Sequence, residues 1–323
     1  MNEGDQQTTD APGEPGPSSH TGTTDPATEA FLTHRNLLFT VAYEMLASAS
    51  DAEDVLQETW LRWADIDQDT VRDPRAFLVR ITTRQALTRL RTLRRRKESY
   101  VGPWLPEPLL TSPDVAEDIE LADSVSMAML LVLETLTPTE RAVFVLRDVF
   151  DLSYDDIAQA VEKTPAAVRQ IAHRARAHVA SRRPREVVSP AQSREALAAF
   201  QQAVETGDLQ RLLDMIAPDV VLLTDGGGVV RAALEPVVGA EPVINVLSRL
   251  TSATFHPAQV NGHPALILRT DAAENDSEND SGIDSGIDSV LALRLEGGLI
   301  TGIYAVRNPE KLSRIARETA VGR

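Results

Sequence analysis

Three sets of side chains in this chain have the types and spacing to do chemistry on a partner. Asp54, Gln57 and Glu58 put two carboxylates and an amide at neighbouring positions of one helical face. Arg75, Arg80, Arg84, Arg89, Arg91, Arg94, Arg95, Arg96 and Lys97 crowd a single stretch with almost no acidic neighbours. Cations so placed repel one another, and a polyphosphate would relieve the repulsion. Arg169, Gln170, His173 and Arg174 form the third set. Arginine and glutamine can each make two parallel hydrogen bonds to a base edge in the major groove. Arg176, Arg182 and Arg183, further along, suit phosphates. Taken alone, the carboxylate set reads as the solvated face of an amphipathic helix, and His173 reads equally as surface or as a base contact.

The elements that would position these groups are helical. Ser50 and Glu53 have capping-box spacing and predict a helix from Asp51, with Ala52, Val55, Leu56, Trp60 and Trp63 as its buried stripe. A second helix, Pro74 to Lys97, buries Phe77, Leu78, Ile81, Leu87 and Leu90. A third begins at Glu29 and carries Phe31, Leu37, Leu38, Val41, Ala42, Met45 and Leu46. Thr137-Pro138-Thr139-Glu140 is a capping box with proline at the first helical position. Ser153 to Asp156 and Thr164-Pro165 start two short helices with a tight connection, a helix-turn-helix pattern in which Glu162 takes the turn position often given to glycine. Tyr100-Val-Gly-Pro-Trp-Leu-Pro-Glu-Pro108 cannot be a regular helix, yet it is too apolar for a free tether, so it should dock in a groove.

Composition bounds the setting. The 323 residues suffice for about two domains of roughly 150 residues each. Cysteine is absent, which fits a reducing compartment and excludes disulfides and thiolate metal sites. No signal peptide and no apolar run of membrane-spanning length is evident, so a cytoplasmic protein without a membrane partner is expected. The net charge of −16 taken as a whole is unsuited to nucleic acid. The charges are segregated, however: acids crowd 1–29, 114–123 and 271–288, arginines 72–97 and 169–185. Local potential outweighs the sum, and weak binding to free DNA is the expected consequence.

After Ser189-Pro190 and Gln192, another capped start, the pattern changes to α+β. Strands are expected at Val220–Thr224, Val229–Leu234, Ala265–Thr270, Val290–Leu295 and Leu299–Val306, with helices at Asp208–Ile216 and Ala240–Leu250. Asp225-Gly226-Gly227-Gly228 reads as a tight turn between two strands; no helix or lysine follows to make it a phosphate loop. The acidic run 271–289 lacks the spacing of a calcium loop and reads as a disordered insertion. Asn308-Pro309-Glu-Lys-Leu312 opens a short terminal helix.

Asp54-Val-Leu-Gln-Glu58 with Trp60, the arginine-rich helix and the capped helix-turn-helix together resemble a bacterial alternative sigma factor of the extracytoplasmic-function (ECF) type. Tyr100–Pro108, Asp225–Gly228 and Asn308–Leu312 resemble the marks of a subgroup with a C-terminal SnoaL-like domain, a cone-shaped relative of nuclear transport factor two. The resemblance implies a multidomain fold: two all-α domains, the second with the helix-turn-helix, followed by an α+β cone. The expected divisions are a disordered tail (1–28), a polymerase- and −10-binding unit (29–98), a linker (99–116), a −35-binding unit (117–183), the SnoaL-like domain (184–312) and a tail (313–323).

The resemblance assigns Asp54, Gln57 and Glu58 to the β′ clamp coiled coil of core RNA polymerase, whose β flap is a further contact. It assigns the loop Asp69–Pro74 with Arg80, Arg84 and Arg91 to the −10 promoter element, and Arg169, Gln170, His173 and Arg174 to the −35 element. Trp104, Pro106, Asp225, Gly226, Gly227, Asn308 and Pro309 become interdomain and regulatory positions. No cofactor, no metal, no catalysis and no dedicated anti-sigma protein are expected, regulation being in cis. The alternatives are a DNA-binding regulator acting without polymerase, and an enzymatic or ligand-sensing role for the cone: the resemblance to SnoaL-like cyclases and isomerases implies a buried Asp–His pair, for which Asp225, His256 and His263 are the candidates, against the favoured reading of turn and surface residues with no catalytic role.

Overall fold

The computed structural model describes residues 25–112, 114–115, 118–182, 188–250, 253–269 and 287–322. The acidic insertion 271–286, Arg183 and residues 1–24 of the tail, for which expectations were given, lie outside the described residues.

Three helices open the chain: α1 (Pro26–Leu46), α2 (Ala49–Ala64) and α3 (Pro74–Glu98). Helix α1 starts earlier than Glu29, because Pro26 pre-sets the first turn and Ala27 is already buried. The cap of α2 is Ser48, whose hydroxyl accepts from Asp51 N, and not Ser50. The N–H and hydroxyl of Ser50 instead hold the carboxylate of Glu107. Of the expected stripe on α2, Trp60 is only half-buried while Trp63 is fully enclosed, its indole N–H donating to Ala27 O. On α3, Leu78, Leu87 and Leu90 are buried, and Phe77 and Ile81 are half-buried.

After the linker come α4 (Ile119–Val125), α5 (Met127–Glu134) and α6 (Pro138–Phe144), then a π-helical turn at Val145–Val149, α7 (Tyr154–Val161) and α8 (Pro165–Ala180). Thr137 and Glu140 make the reciprocal capping box. Helices α7 and α8 form the helix-turn-helix. Glu162 caps α7 in the left-handed conformation (φ 56°) that glycine would adopt freely. A single apolar core runs through both helical units, from Phe31 and Trp63 to Leu130, Ile157 and Ile171.

The remaining chain gives α9 (Pro190–Thr206), α10 (Leu209–Met215), α11 (Ala240–Leu247), α12 (Pro309–Leu312) and six strands: β1 (Ile216–Asp225), β2 (Val237–Val238), β3 (Thr254–Val260), β4 (His263–Arg269), β5 (Ile287–Glu296) and β6 (Leu299–Val306). They form one sheet in the order β2-β1-β6-β5-β4-β3, antiparallel except for β1 beside β6. The expected strand at Val229–Leu234 does not form. Glycine-permitted bends follow Asp225, and Thr224 Oγ1 bonds both the N–H and the carbonyl of Ala233 in place of a ladder. Strand β3 was not expected; Pro257 is tolerated there because β3 is the sheet's edge.

Side chains alternate across the sheet. Leu266, Leu268, Leu291 and Ile303 face α9–α11, with Phe200, Leu212 and Ile244 completing that core. Ala265, Ile267, Val290, Ala292 and Tyr304 face the opposite way, onto Leu105 of the linker, Met127 of α5 and Leu312. The sheet therefore shares its second face with the helical half of the molecule.

The linker also closes the sheet's edge. Thr111 N donates to Gln259 O and Asn261 N to Leu109 O, so residues 109–111 lie along β3 like an added strand. On the linker's other side Thr319 N donates to Leu110 O, and Gly322 N reaches Thr40 Oγ1 on α1.

The two-residue turn between β3 and β4, Asn261-Gly262, has positive φ at both positions (55° and 73°), the geometry this pair favours. It is driven between three segments. Asn261 Nδ2 donates to Tyr43 Oη at 2.6 Å and Val125 O at 2.8 Å, while its Oδ1 accepts from Leu109 N at 3.1 Å. A Cβ on Gly262 would stand 2.6 Å from Ala122 Cα, so only glycine lets the turn seat. One buried amide thus ties α1, the linker and α4 to the sheet. Asn261→Ala strips the partner from one buried donor, Leu109 N, and from two buried acceptors, Tyr43 Oη and Val125 O, and should cost about 2–4 kcal/mol; urea unfolding of the full chain measures it.

Candidate functional site

On α2 the burial pattern separates Asp54, Gln57 and Glu58 from the core: all three are exposed, Asp54 just before the buried Val55–Leu56 and Gln57 and Glu58 between that pair and the buried Thr59 and Trp63. Asp54 has a second duty. Arg89 of α3 donates to its Oδ2 at 2.8 Å and to Oδ1 of the buried Asp51 at 2.6 Å, which pins α2 to α3. Gln57 and Glu58 carry no such bond among the described residues, so theirs is the freer part of the face.

The arginines of α3 divide. Arg91 is exposed. Arg80 donates to Gln159 Oε1 at 3.0 Å and Arg84 to Gln159 O at 2.9 Å, so both reach the first helix of the helix-turn-helix. Arg80 also lies over the Phe77 ring, 4.7 Å from its centroid. On α8, Arg169, Gln170, His173 and Arg174 are all exposed on one face, with Val168, Ile171, Ala172 and Ala175 buried behind them.

The interdomain residues gather around a buried carboxylate. Asp225, at the end of β1, is 0% exposed. It accepts from Tyr100 Oη (2.6 Å), Leu105 N (2.8 Å), Gly227 N (3.1 Å) and Lys311 Nζ (2.7 Å). Lys311 also donates to Leu105 O, and Asn308 Nδ2 to Tyr100 Oη. Gly227 admits this packing: a Cβ there would lie 2.4 Å from Asn308 Nδ2, and φ is +64°. Gly226 and Pro106 are buried nearby, and Pro309 begins α12.

Trp104 is the floor of the junction. Lys97 Nζ from the end of α3 lies 3.3 Å from its ring centroid and Lys311 Nζ lies 4.2 Å away. These are two of the chain's three lysines. Lys97 pairs with Glu134 of α5 at 2.5 Å, and Glu134 also takes Arg141, itself 1% exposed and donating to Glu44 O. Burial pushes the Lys97 ammonium down to about 8, against the pull of Glu134. Burial likewise lowers Lys311, opposed by Asp225. Burial would raise the Glu134 carboxyl, but Arg141 and Lys97 outweigh it and hold the group below its usual range.

Sequence reading placed Asp225, Asn308 and Trp104 at this junction but missed Glu107, Lys311, Arg141, Gln159 and Asn261. Only the Asn-Gly pair carried a local signal. Asp225 is not the surface turn residue one reading made it. His256 is exposed on β3 and His263 begins β4, so both lie across the sheet from β1, and the recorded partners of Asp225 include neither. Among the described residues no helix is long and apolar enough to cross a membrane.

Residues 30–96 match the family model "Sigma-70 region 2", and residues 126–179 match "Sigma-70, region 4". The chain is 32% identical over 302 residues to the "Probable ECF RNA polymerase sigma factor SigI" of Mycobacterium tuberculosis, covering 92% of this chain and 99% of that one. It is 29% identical over 303 residues to the "ECF RNA polymerase sigma factor SigJ" of the same organism, covering 90% and 96%. The crystal structure of that SigJ superposes with a TM-score of 0.69 at 28% identity, covering 88% of this chain and 98% of that one.

The lysine pocket has a pH signature. Between pH 8 and the ordinary lysine value of 10.5, the folded chain holds fewer protons on Lys97 than the unfolded chain. The burial penalty is therefore fully present below pH 8 and is lifted as pH rises through that window. Relative to Lys97→Met, the unaltered chain should gain stability between pH 8 and 10.5 in urea unfolding. A carbon-13 titration of the three lysines should show Lys97 turning over near pH 8.

Proposed function

The chain belongs to the ECF RNA polymerase sigma factors, and from that premise we propose which surfaces carry its work and how its C-terminal half governs them. It is an alternative sigma factor that binds core RNA polymerase and directs promoter recognition and transcription initiation. The exposed face Asp54, Gln57 and Glu58 meets the β′ clamp coiled coil, and the α6–α8 unit meets the β flap. Arg80, Arg84 and Arg91, with the loop Asp69–Pro74, read the −10 element, where an unpaired base is flipped at a cost of a few kcal/mol. Arg169, Gln170, His173 and Arg174 read the −35 element. No step calls for a cofactor.

The SnoaL-like domain acts in cis by gripping the linker between the two reading units. The observation that carries this reading is the four-donor shell of Asp225, in which Tyr100 and Leu105 come from the linker and Lys311 from α12. That grip takes the place of a dedicated anti-sigma protein.

Two experiments test the proposal. Because Asp54 also anchors Arg89, the polymerase face is best probed at Gln57→Ala with Glu58→Lys. That pair should weaken binding to purified core enzyme at least tenfold while leaving the unfolding midpoint unchanged; intact binding would remove the assignment. Asp225→Ala leaves Lys311 buried without its counter-charge, a loss of about 3–5 kcal/mol of docking. It should raise polymerase-dependent transcription at fixed protein concentration, and unchanged output would remove regulation in cis.

A further inference from the structure

We propose that the free chain masks one of its two readers with the other: α7, the first helix of the helix-turn-helix, covers part of the −10-reading face of α3, the −35-reading face of α8 stays open, and Gln159 is the residue that holds the mask. The proposal rests on the assignment of α3 and α8 to the two promoter elements and adds how access to them is controlled.

Gln159 is solvent-exposed on α7, so it is not there to fill a core. It nevertheless engages two arginines a full turn apart on α3: its side-chain oxygen takes Arg80, and its main-chain oxygen takes Arg84. Glu162, at the end of the same helix, stands 3.6 Å from Arg84 and adds only a solvent-screened contact. Donors turned toward a helix of the same chain are not available to a phosphate or a base. The four α8 residues are exposed: Arg169 lies over the Tyr154 ring at 5.5 Å and Arg174 stands 3.8 Å from Glu140, but among the described residues no segment of α3 covers them, so the masking is one-sided.

Dimensions make the closed arrangement incompatible with a whole promoter. Positions −10 and −35 are about 25 base pairs apart, roughly 85 Å of duplex at 3.4 Å per pair. Helix α8 has 16 residues, about 24 Å of length, and begins four residues after α7 ends. With α7 bonded to α3, the two readers cannot reach elements so far apart. The α3–α7 contact must therefore break before both are read. In the closed chain α8 offers a weak duplex-binding face, while the −10 face is left incomplete: Arg91 is exposed but Arg80 and Arg84 are engaged by α7. The junction at Asp225 and Trp104 sets how far the units can part, whereas Gln159 sets whether the −10 face is covered.

The absence of cysteine allows a direct test. Arg62→Cys on α2 and Ala180→Cys on α8, both exposed, take spin labels for distance measurement in the full-length chain. The starting chain should give one short distance. Gln159→Arg, facing Arg80 and Arg84, should raise the long-distance fraction at least threefold; Gln159→Ala should move it in the same direction, and Gln159→Glu should not. Opened variants should also bind a fluorescein-labelled single-stranded 12-mer at least threefold more tightly. If Gln159→Arg and Gln159→Ala both leave distances and single-strand affinity unchanged in chains with unaltered circular dichroism, the mask does not exist. Adding core polymerase should shift every variant to the long distance. Failure of core to bind would count against the assigned surfaces, independently of the comparison among free chains.

Discussion

Asp225 is the charge on which the arrangement of this molecule depends. An ionised carboxylate with no solvent contact is tolerated only when fully paired and hydrogen-bonded. Its four donors come from three places: the linker, its own turn and α12. None of them can leave without exposing the others to an unpaired buried charge. Lys311 carries the same constraint onward, because its largely enclosed ammonium divides itself between Asp225, the Leu105 carbonyl and the Trp104 ring. Docking of the linker is therefore closer to all-or-none than to a graded contact.

From that anchor the closed state is built outward. Lys97 shares the Trp104 floor and hands its charge to Glu134, which shares it with Arg141. The Asn261 amide supplies a second, neutral tie at the other end of the linker. The apolar core common to both helical units adds burial without direction, and the polar ties set the register in which those units meet. Solvent-exposed pairs such as Arg84 with Glu162 add little to this, since water screens them.

Much of the local structure was legible from residue order. The capping boxes at Thr137 and Ser189, the proline starts and the arginine-rich helix all depend on neighbours within one turn, and they stand as read. The errors share a cause. Ser50 looked like a cap because its spacing was right, but Glu107, 57 residues away, had claimed it. Val229–Leu234 had strand composition, yet the turn at Asp225 is shaped by α12 and the linker. Asp225 among three glycines looked like surface because its counter-charge lies 86 residues distant. Strand β3 was hidden by Pro257, tolerable only once the strand is known to sit at an edge. Interdomain chemistry is carried by partners far apart in the chain, and no local period announces them.

The strand-like seat of the linker has a consequence for biosynthesis. Leu110 is held on one side by β3 and on the other by Glu318 and Thr319, so its slot is finished only when the last of these segments has been made. At about 5–20 residues per second, the roughly 140 residues between the end of α8 and Thr319 take some 7–30 s to emerge. During that interval both helical units have left the ribosome while the segments that confine them have not. Restraint of this protein is thus acquired late in its own synthesis, and every newly made copy passes through a period in which its two halves are unclamped.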